Sequence, residues 1–406
     1  MKLSHGLGLT GLGLFGAVLA VSGISMTTSV CCSGSSGSSS SGGGTGDTCA
    51  NTANNCVVQP PAPSGGPPTS ASHNYAIRTL YLGDTDRTGV ASADAWKAYG
   101  YNLDNLVTAK TSTDVCTLAA GASKTTQVDG NGGIDNSFGE NILPIIVTTA
   151  GSDWGARTNT SIEDGTFNDM LYVTGFDDTA ANATSATGLT GVFLAGGSYA
   201  AQHNGGAPTW NTTTEWPVMP TLMNGCTPLT GCGAGCTYGS AAGACPVNPL
   251  SAATITFPSA YQAGGTFVNG NPSANLSLSI SQSLSINVHS ALITFQPKAP
   301  GSVTDGTIAG VLITSEFVSA LQGVVGDIST SLCSGSAFQS IAQQIEQASD
   351  IVIDPGSGSV SNSAGTMCNG ISIGLGFEGT EIAFPTSSDI EGVPAAAPNP
   401  CADAGQ

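Results

Sequence analysis

Positive charge is scarce in this sequence. Its 406 residues include 8 Lys and Arg and 4 His against 27 Asp and Glu, so the formal net charge at pH 7 is -19. Such a chain repels polyanions at long range, which argues against nucleic acid as a partner. The surplus of carboxylates has two explanations: the carboxylates bind divalent cations, or they only keep the protein soluble. Hydrophobic residues make up 40% of the chain, so a large core can form beneath a surface rich in Ser, Thr, Asn and Gly.

The familiar catalytic motifs are also missing. The sequence has no H-E-x-x-H, no Walker A loop and no complete G-x-S-x-G. A G-x-G-x-x-G pattern occurs at Gly374, Gly376 and Gly379, but Pro385 follows too soon for the helix that would receive a pyrophosphate. No motif therefore points to a particular reaction.

Long hydrophobic runs are absent except near the N-terminus, where residues 1–30 predict a signal peptide. Glycines dilute this run too much for a stable membrane span. Cys31 and Cys32 precede a Ser/Gly tract, which is typical of a lipidated cysteine with a flexible tether. Val30 departs from the small residue usual before such a cysteine, so lipidation and ordinary signal cleavage both remain open. We expect an extracytoplasmic protein, at the outer membrane or cell surface if lipidated and otherwise periplasmic or secreted.

The twelve cysteines predict disulfides, because thiols pair in an oxidising compartment. We expect Cys333, at the end of a predicted helix, to pair with Cys368, just before a predicted strand. Cys116 is then expected to pair with one of the cysteines outside the folded region. Four cysteines in a Gly-rich stretch lack the paired C-x-x-C spacing of a zinc site and predict two local disulfides: Cys226, Cys232, Cys236 and Cys245.

Composition divides the chain into a leader, a tether, one domain and a tail. Residues 31–72 have almost no large apolar side chain and predict a disordered tether, and 393–406 predict a flexible tail. Short alternating segments between them predict β-strands in a single domain over 73–392. Only 315–352 has apolar residues at helical spacing. We predict a mainly β fold, either a β-sandwich or a curled antiparallel sheet, with a C-terminal α-helical hairpin packed on it.

Two acidic segments predict calcium binding. One contains Asp84 and Asp86, and the other contains Asp129, Asn131 and Asp135. Oxygen ligands at alternate positions, separated by glycines, are what a calcium loop uses. The alternative is a pair of turns in which Asp and Asn side chains cap their own backbone.

Trp210 and Trp216 are the candidate ligand-binding aromatics. They lie six residues apart in TWNTTTEWP, which would place both on one face of a strand. Flat aromatic rings flanked by hydroxyls suit stacking against a sugar. The alternative is that both rings belong to the core.

The segment WKAYGYNLDNLVT, followed by Cys116 and VDGNGGIDNSFGENILPII, resembles a recurring segment of uncharacterised exported proteins and predicted lipoproteins of myxobacteria. The resemblance is strongest over 78–147. It implies a location in the cell envelope and no known activity.

These features together predict a non-enzymatic envelope protein that binds a glycan or a surface protein, with structural calcium. The alternatives are a secreted hydrolase acting on polysaccharide and a purely structural protein. Contact with a membrane is expected only through the leader or a lipid anchor. A flat aromatic strip around the two tryptophans would favour binding, whereas a cleft with paired carboxylates would favour hydrolysis.

Overall fold

The computed structural model describes residues 57–179, 184–203, 205–224, 249–281, 284–328 and 335–385. The chain divides into two units, residues 1–41 and 42–406, and every described residue lies in the second. The leader and the tail 393–406 fall outside the described residues. The same holds for several predicted cysteine sites: Cys31, Cys32, Cys226, Cys232, Cys236, Cys245 and Cys333.

Strands dominate the described part of the chain. Their bounds are β1 Ser72–Tyr81, β2 Asn168–Thr174, β3 Ala186–Gly196, β4 Ile255–Ala263, β5 Thr266–Val268, β6 Leu276–Ser279, β7 Ser285–Ala299, β8 Ser302–Ile313, β9 Val352–Ile353, β10 Val360–Ser361 and β11 Gly370–Glu381.

The helices are fewer and mostly short. Their bounds are α1 Leu143–Ala150, α2 Trp154–Glu163, α3 Tyr199–Gln202, α4 Pro249–Ala252, α5 Thr314–Ile328 and α6 Gly335–Gln347. Among the described residues, none of the helices combines the length and the apolar character needed to cross a bilayer.

Eight of the strands close into an antiparallel barrel. Around the barrel they run in the order β1, β2, β3, β4, β5, β7, β8, β11, and β11 returns to β1 with Tyr75 opposite Glu381. The other junction joins β5 to β7, with Phe267 opposite Phe295. Strand β6 pairs with β7 outside this ring, and β9 pairs with β10 in a separate small sheet. The predicted mainly β, antiparallel fold is confirmed, and the sheet curls until it closes rather than forming a sandwich.

Aromatic side chains fill the barrel. Phe267 and Phe295 stack with ring centroids 4.5 Å apart, and Phe176 meets Phe295 edge-on at 5.2 Å. Tyr75 and Phe377 also approach Phe295, and all five rings are buried. An eight-stranded barrel has an interior just wide enough for side chains. Large rings therefore close the interior as a packed core.

The outer face of β11 is covered by the long connection between β1 and α1. Asn136 bonds to both backbone groups of Gly374, donating to its carbonyl at 2.9 Å and accepting from its N–H at 3.0 Å. A Cβ at Gly374 would overlap the backbone of Tyr99, and one at Gly376 would press on the Tyr99 ring. The glycines of the G-x-G-x-x-G pattern thus allow two backbone segments to pack closely, which requires residues without a side chain.

One disulfide secures this covering segment. Cys116 and Cys368 are bonded at 1.97 Å, across a sequence separation of 252 residues. Two predicted pairings are therefore wrong, because Cys368 does not pair with Cys333 and Cys116 does not pair with a cysteine outside the folded region. The covering segment runs along β11 toward the start of that strand. This brings Cys116 next to Cys368, which lies two residues before Gly370. The link joins the two layers at the start of β11.

Two helices, Thr314–Ile328 and Gly335–Gln347, cover most of the region predicted to be helical, 315–352. Phe317 and Leu321 of α5 are buried, as are Phe338 and Ile345 of α6. The connection at 329–334 lies outside the described residues, so the predicted helical hairpin is not established.

The folded part begins before the predicted boundary at residue 73. Val58 donates to the carbonyl of Gly132 at 3.0 Å and accepts from the N–H of Asn102 at 2.9 Å. The Tyr261 hydroxyl donates to the carbonyl of Pro61 at 2.8 Å. The last part of the segment predicted to be a disordered tether therefore lies against the barrel, because its backbone groups find partners there.

Candidate functional sites

Four aspartates form a cluster between the outer face of β11 and the covering segment: Asp104, Asp129, Asp135 and Asp350. Each is placed by donors close to it. Asp135 accepts from the N–H of Leu103 at 2.6 Å, and Asp350 accepts from the N–H of Ser372 at 2.8 Å. Asp129 accepts from the N–H of Thr108 and Asp104 from that of Leu106. Asp350 follows α6, whereas the other three lie on the covering segment, so the cluster exists only in the folded chain.

Burial raises the pKa of all four carboxyls in this aspartate cluster. It raises the pKa of Asp129 to about 8 and that of Asp350 to about 7, and neighbouring negative charges add to the effect. The pKa of Asp135 is raised well above its ordinary value for the same reasons, and Asp129 hydrogen-bonds to it. In the described part of the chain, no Lys or Arg forms an ion pair with any of the four. Protons shared among the carboxyls can relieve this repulsion.

The predicted calcium ligands are only partly brought together. Asp129 and Asp135 lie side by side, but the side chain of Asn131 is exposed. Asp86 is partly exposed and accepts from the N–H groups of Thr88 at 2.8 Å and Val90 at 3.0 Å. These hydrogen bonds lower the pKa of Asp86. They also form a turn in which the Asp side chain caps its own backbone, which was the alternative to calcium binding.

Asp84 belongs to that same turn region and not to the aspartate cluster. Its carbonyl accepts from the N–H of Ser92, and its carboxylate lies against Gly155 of α2. Sequence reasoning missed Asp350 and gave Asp104 no role. The only local signal for Asp350 was a carboxylate next to the apolar stretch IVI.

A second cluster lies at one end of the barrel. His73 near the start of β1, Asp178 after β2 and Glu381 at the end of β11 approach one another. Nδ1 of His73 is 3.0 Å from Oε1 of Glu381 and 3.8 Å from Oδ2 of Asp178. Within the described ranges, these three form the group of potential metal ligands whose ligand atoms all lie within 4.8 Å of one another.

The surroundings of this end cluster are largely buried. The side chains of His73, Asp178 and Glu381 are 12%, 9% and 18% exposed. The ring of His73 stacks on Tyr75 at 5.5 Å, so both face the barrel interior. The Tyr75 hydroxyl lies beside the two carboxylates. Burial raises the pKa of Tyr75, and the negative charges of Asp178 and Glu381 raise it further. The sequence offered no signal for this site, because its members lie on three separate segments.

A polar cavity of about 440 Å³ lies beside β7 and β8. Its described lining residues carry no charged side chain, and its polar groups are amides and hydroxyls. The main contributors are Gln59, Asn102, Asn271, Ser290, Ser357 and Ser359. Its volume falls within the roughly 300–1,000 Å³ range of small-molecule sites, although its walls are more polar than most.

Local backbone features shape this cavity. The register of β7 against β8 shifts after His289, and Ser290 there has a φ of 51°. Such a bulge turns a side chain away from its normal direction, and the Ser290 hydroxyl donates to the carbonyl of Gly358. Asp354 holds the facing turn by accepting from the N–H of Gly356 at 2.9 Å and the hydroxyl of Ser357 at 2.8 Å.

The tryptophans predicted to bind a ligand lie in the core. Trp210 is 8% exposed and Trp216 is 1% exposed. The Trp216 ring donates to the carbonyl of Gly197 at 2.8 Å and lies 5.5 Å from the Trp210 ring. Residues 210–216 form a turn and an irregular segment, so the predicted strand with an exposed aromatic face is wrong. Both rings are already in contact with protein, and no flat aromatic strip remains for a sugar.

A scan of family models, curated proteins and solved structures gave no match for this chain.

Proposed function

We propose that this chain is an exported, non-enzymatic envelope protein whose barrel domain binds a neutral glycan in the cavity beside β7 and β8. The observation that carries the proposal is the chemistry of the cavity lining. Amide and hydroxyl groups both donate and accept hydrogen bonds, as sugar hydroxyls do. A lining without net charge favours a neutral ligand over an ionic one.

The side chain of Asn271 supports a binding role. It is exposed at the rim of the cavity and makes no hydrogen bond within the described part of the protein. Its backbone N–H donates to the hydroxyl of Ser259 at 3.0 Å, so the residue is positioned while its amide stays free. A fixed backbone avoids the entropic cost of ordering the chain on binding, so only the side chain has to be immobilised.

The same lining favours binding over hydrolysis. A glycosidase normally places two carboxyl groups on either side of the scissile bond, about 5–10 Å apart. None of the described residues lining the cavity is Asp, Glu or His. A secreted polysaccharide hydrolase is therefore the less supported alternative.

Export is supported by the N-terminal run and by the Cys116–Cys368 bond, since disulfides form and persist mainly in oxidising compartments. A flexible tether, with or without lipid on Cys31 or Cys32, would hold the domain away from the membrane.

Structural calcium remains part of this proposal, at Asp129 and Asp135. Their proximity supports it, together with the lack of a described Lys or Arg paired with either carboxylate. The hydrogen bond between Asp129 and Asp135 contains a proton, so shared protons are the competing source of neutralisation.

The test is glycan binding by the mature protein. We expect binding to neutral oligosaccharides on an array and, by calorimetry, to the best of them in solution. Asn271→Trp should fill the cavity and abolish that binding. Asn131→Trp makes the same change at an exposed side chain outside the cavity and should leave binding intact. Both variants should melt like the wild type.

Three results would count against the proposal. Equal glycan affinity in Asn271→Trp and in the wild type would mean that the cavity is not the site. Shortening of the oligosaccharide during incubation would favour the hydrolase. Capture of an envelope protein that Asn271→Trp prevents, without any glycan binding, would replace the glycan by a protein partner.

A further inference from the structure

The end cluster of His73, Asp178 and Glu381 has the ligand set of a transition-metal site. An imidazole nitrogen and two carboxylate oxygens suit Zn²⁺ and related ions, which accept both nitrogen and oxygen ligands. The ligand atoms all lie within 4.8 Å of one another. Oxygen and nitrogen ligands about 2.0–2.2 Å from one ion would be no farther apart than that.

The charge of the end cluster supports a divalent ion. Two largely buried carboxylates carry two negative charges, and a protonated His73 would neutralise only one of them. A divalent cation with a neutral imidazole balances both. Lys298 does not supply the missing charge, because its Nζ is bonded to Glu378 at 3.1 Å. Burying an unpaired charge costs free energy of folding. An ion at this position would offset that cost.

The surroundings of the ligands are also consistent with a built site. The backbone N–H of Gly301 donates to Oδ2 of Asp178 at 3.1 Å, which orients that carboxylate. The Tyr75 hydroxyl is completely buried beside the carboxylates and has no hydrogen bond of good geometry. An orphaned, buried hydroxyl beside three convergent ligands points to a missing participant in the cluster.

We propose that His73, Asp178 and Glu381 bind one divalent transition-metal ion of the zinc class, with Nδ1 of His73 as the nitrogen ligand. Three protein ligands leave at least one coordination position for water or for another ligand. This site is separate from the glycan-binding cavity and does not depend on it.

The test uses Co²⁺ and Zn²⁺ with the exported, disulfide-bonded protein in excess Ca²⁺, which occupies sites made of oxygen ligands alone. We expect one Co²⁺ per chain, with a visible absorption spectrum that Zn²⁺ abolishes by displacement. His73→Gln and Glu381→Gln keep the approximate shape of each side chain. Each should weaken metal binding by more than about tenfold, since even second-shell changes cost 10–100-fold.

The matched control is His289→Gln. Nε2 of His289 lies 2.8 Å from a single carboxylate, that of Glu316, so this histidine pair lacks the second acidic ligand. The control should bind Co²⁺ like the wild type. Metal-free melting curves establish that each variant is folded.

Unchanged Co²⁺ affinity in folded His73→Gln would overturn the proposal. So would a thiolate-to-cobalt charge-transfer band in the wild type that persists in this variant, because the metal would then be bound by cysteines. Loss of glycan binding in Asn271→Trp does not bear on either result, so the two proposals fail independently.

Discussion

The aspartate cluster should make the protein less stable as pH rises. The pKa of Asp129 is about 8 in the folded chain, against an ordinary value of 3.8. Between these two values the folded state binds a proton that the unfolded state does not bind. Stability contributed by this group is therefore fully present below pH 3.8 and is lost as pH rises through about 8.

The expected size follows from the proton linkage. One such group changes the free energy of unfolding by about 1.4 kcal/mol per pH unit. From about pH 5 to about pH 8 this amounts to at most about 4 kcal/mol, or a fall in Tm of several degrees. Asp350, whose pKa is about 7, contributes in the same direction. The two groups lie in one interacting cluster, so their contributions do not simply add.

The assay is thermal unfolding across this pH range in chelator, for the wild type and two variants. Asp129→Asn keeps the side-chain shape without a titrating proton and should flatten the dependence of Tm on pH. Asp86→Asn is the control, because this partly exposed carboxylate has a lowered pKa and stays ionised throughout the range. A slope as steep in Asp129→Asn as in the wild type would refute the role of the cluster.

Calcium gives the second part of this experiment. If Ca²⁺ binds at Asp129 and Asp135, then at about pH 8 calcium at about 100 times its Kd should add roughly 2.7 kcal/mol of stability. Asp129→Asn should abolish that gain. Identical melting of the wild type in calcium and in chelator would remove calcium from this site and leave shared protons as the source of neutralisation.

Three further changes test the packing. Cys368→Ser should leave Cys116 unpaired in non-reducing peptide maps and lower stability by about 5.5 kcal/mol, the entropy of a loop of this length; a wild-type map in which Cys368 is linked to another cysteine would contradict the structure. Gly374→Ala should cost about 3 kcal/mol by overpacking, whereas Gly335→Ala, where a Cβ meets nothing within 4 Å, should be nearly neutral; equal melting of the two would be contrary evidence. Trp216→Ala should cost about 3–5 kcal/mol and leave glycan affinity unchanged; a folded, equally stable variant with lost binding would return this ring to the ligand site.

The sequence by itself determined the class of fold and the character of the surface. Alternating apolar residues define which face of each strand is buried, and this local pattern was enough to predict a mainly β antiparallel domain. Helical spacing likewise predicted the region of α5 and α6 to within one residue at its start. The excess of acidic over basic residues is known without the structure, because it follows from the residue counts alone.

Contacts between segments that are far apart in the chain follow only from the tertiary structure. Closure of the barrel depends on β5 meeting β7 and β11 meeting β1, and alternation alone does not encode strand partners. The fold buries Trp216 and brings Asp350 to the covering segment. It also places His73 beside Glu381, although 308 residues separate them in the chain. Local pattern predicts which kind of element a segment forms, whereas only the folded path of the chain determines which distant residues meet.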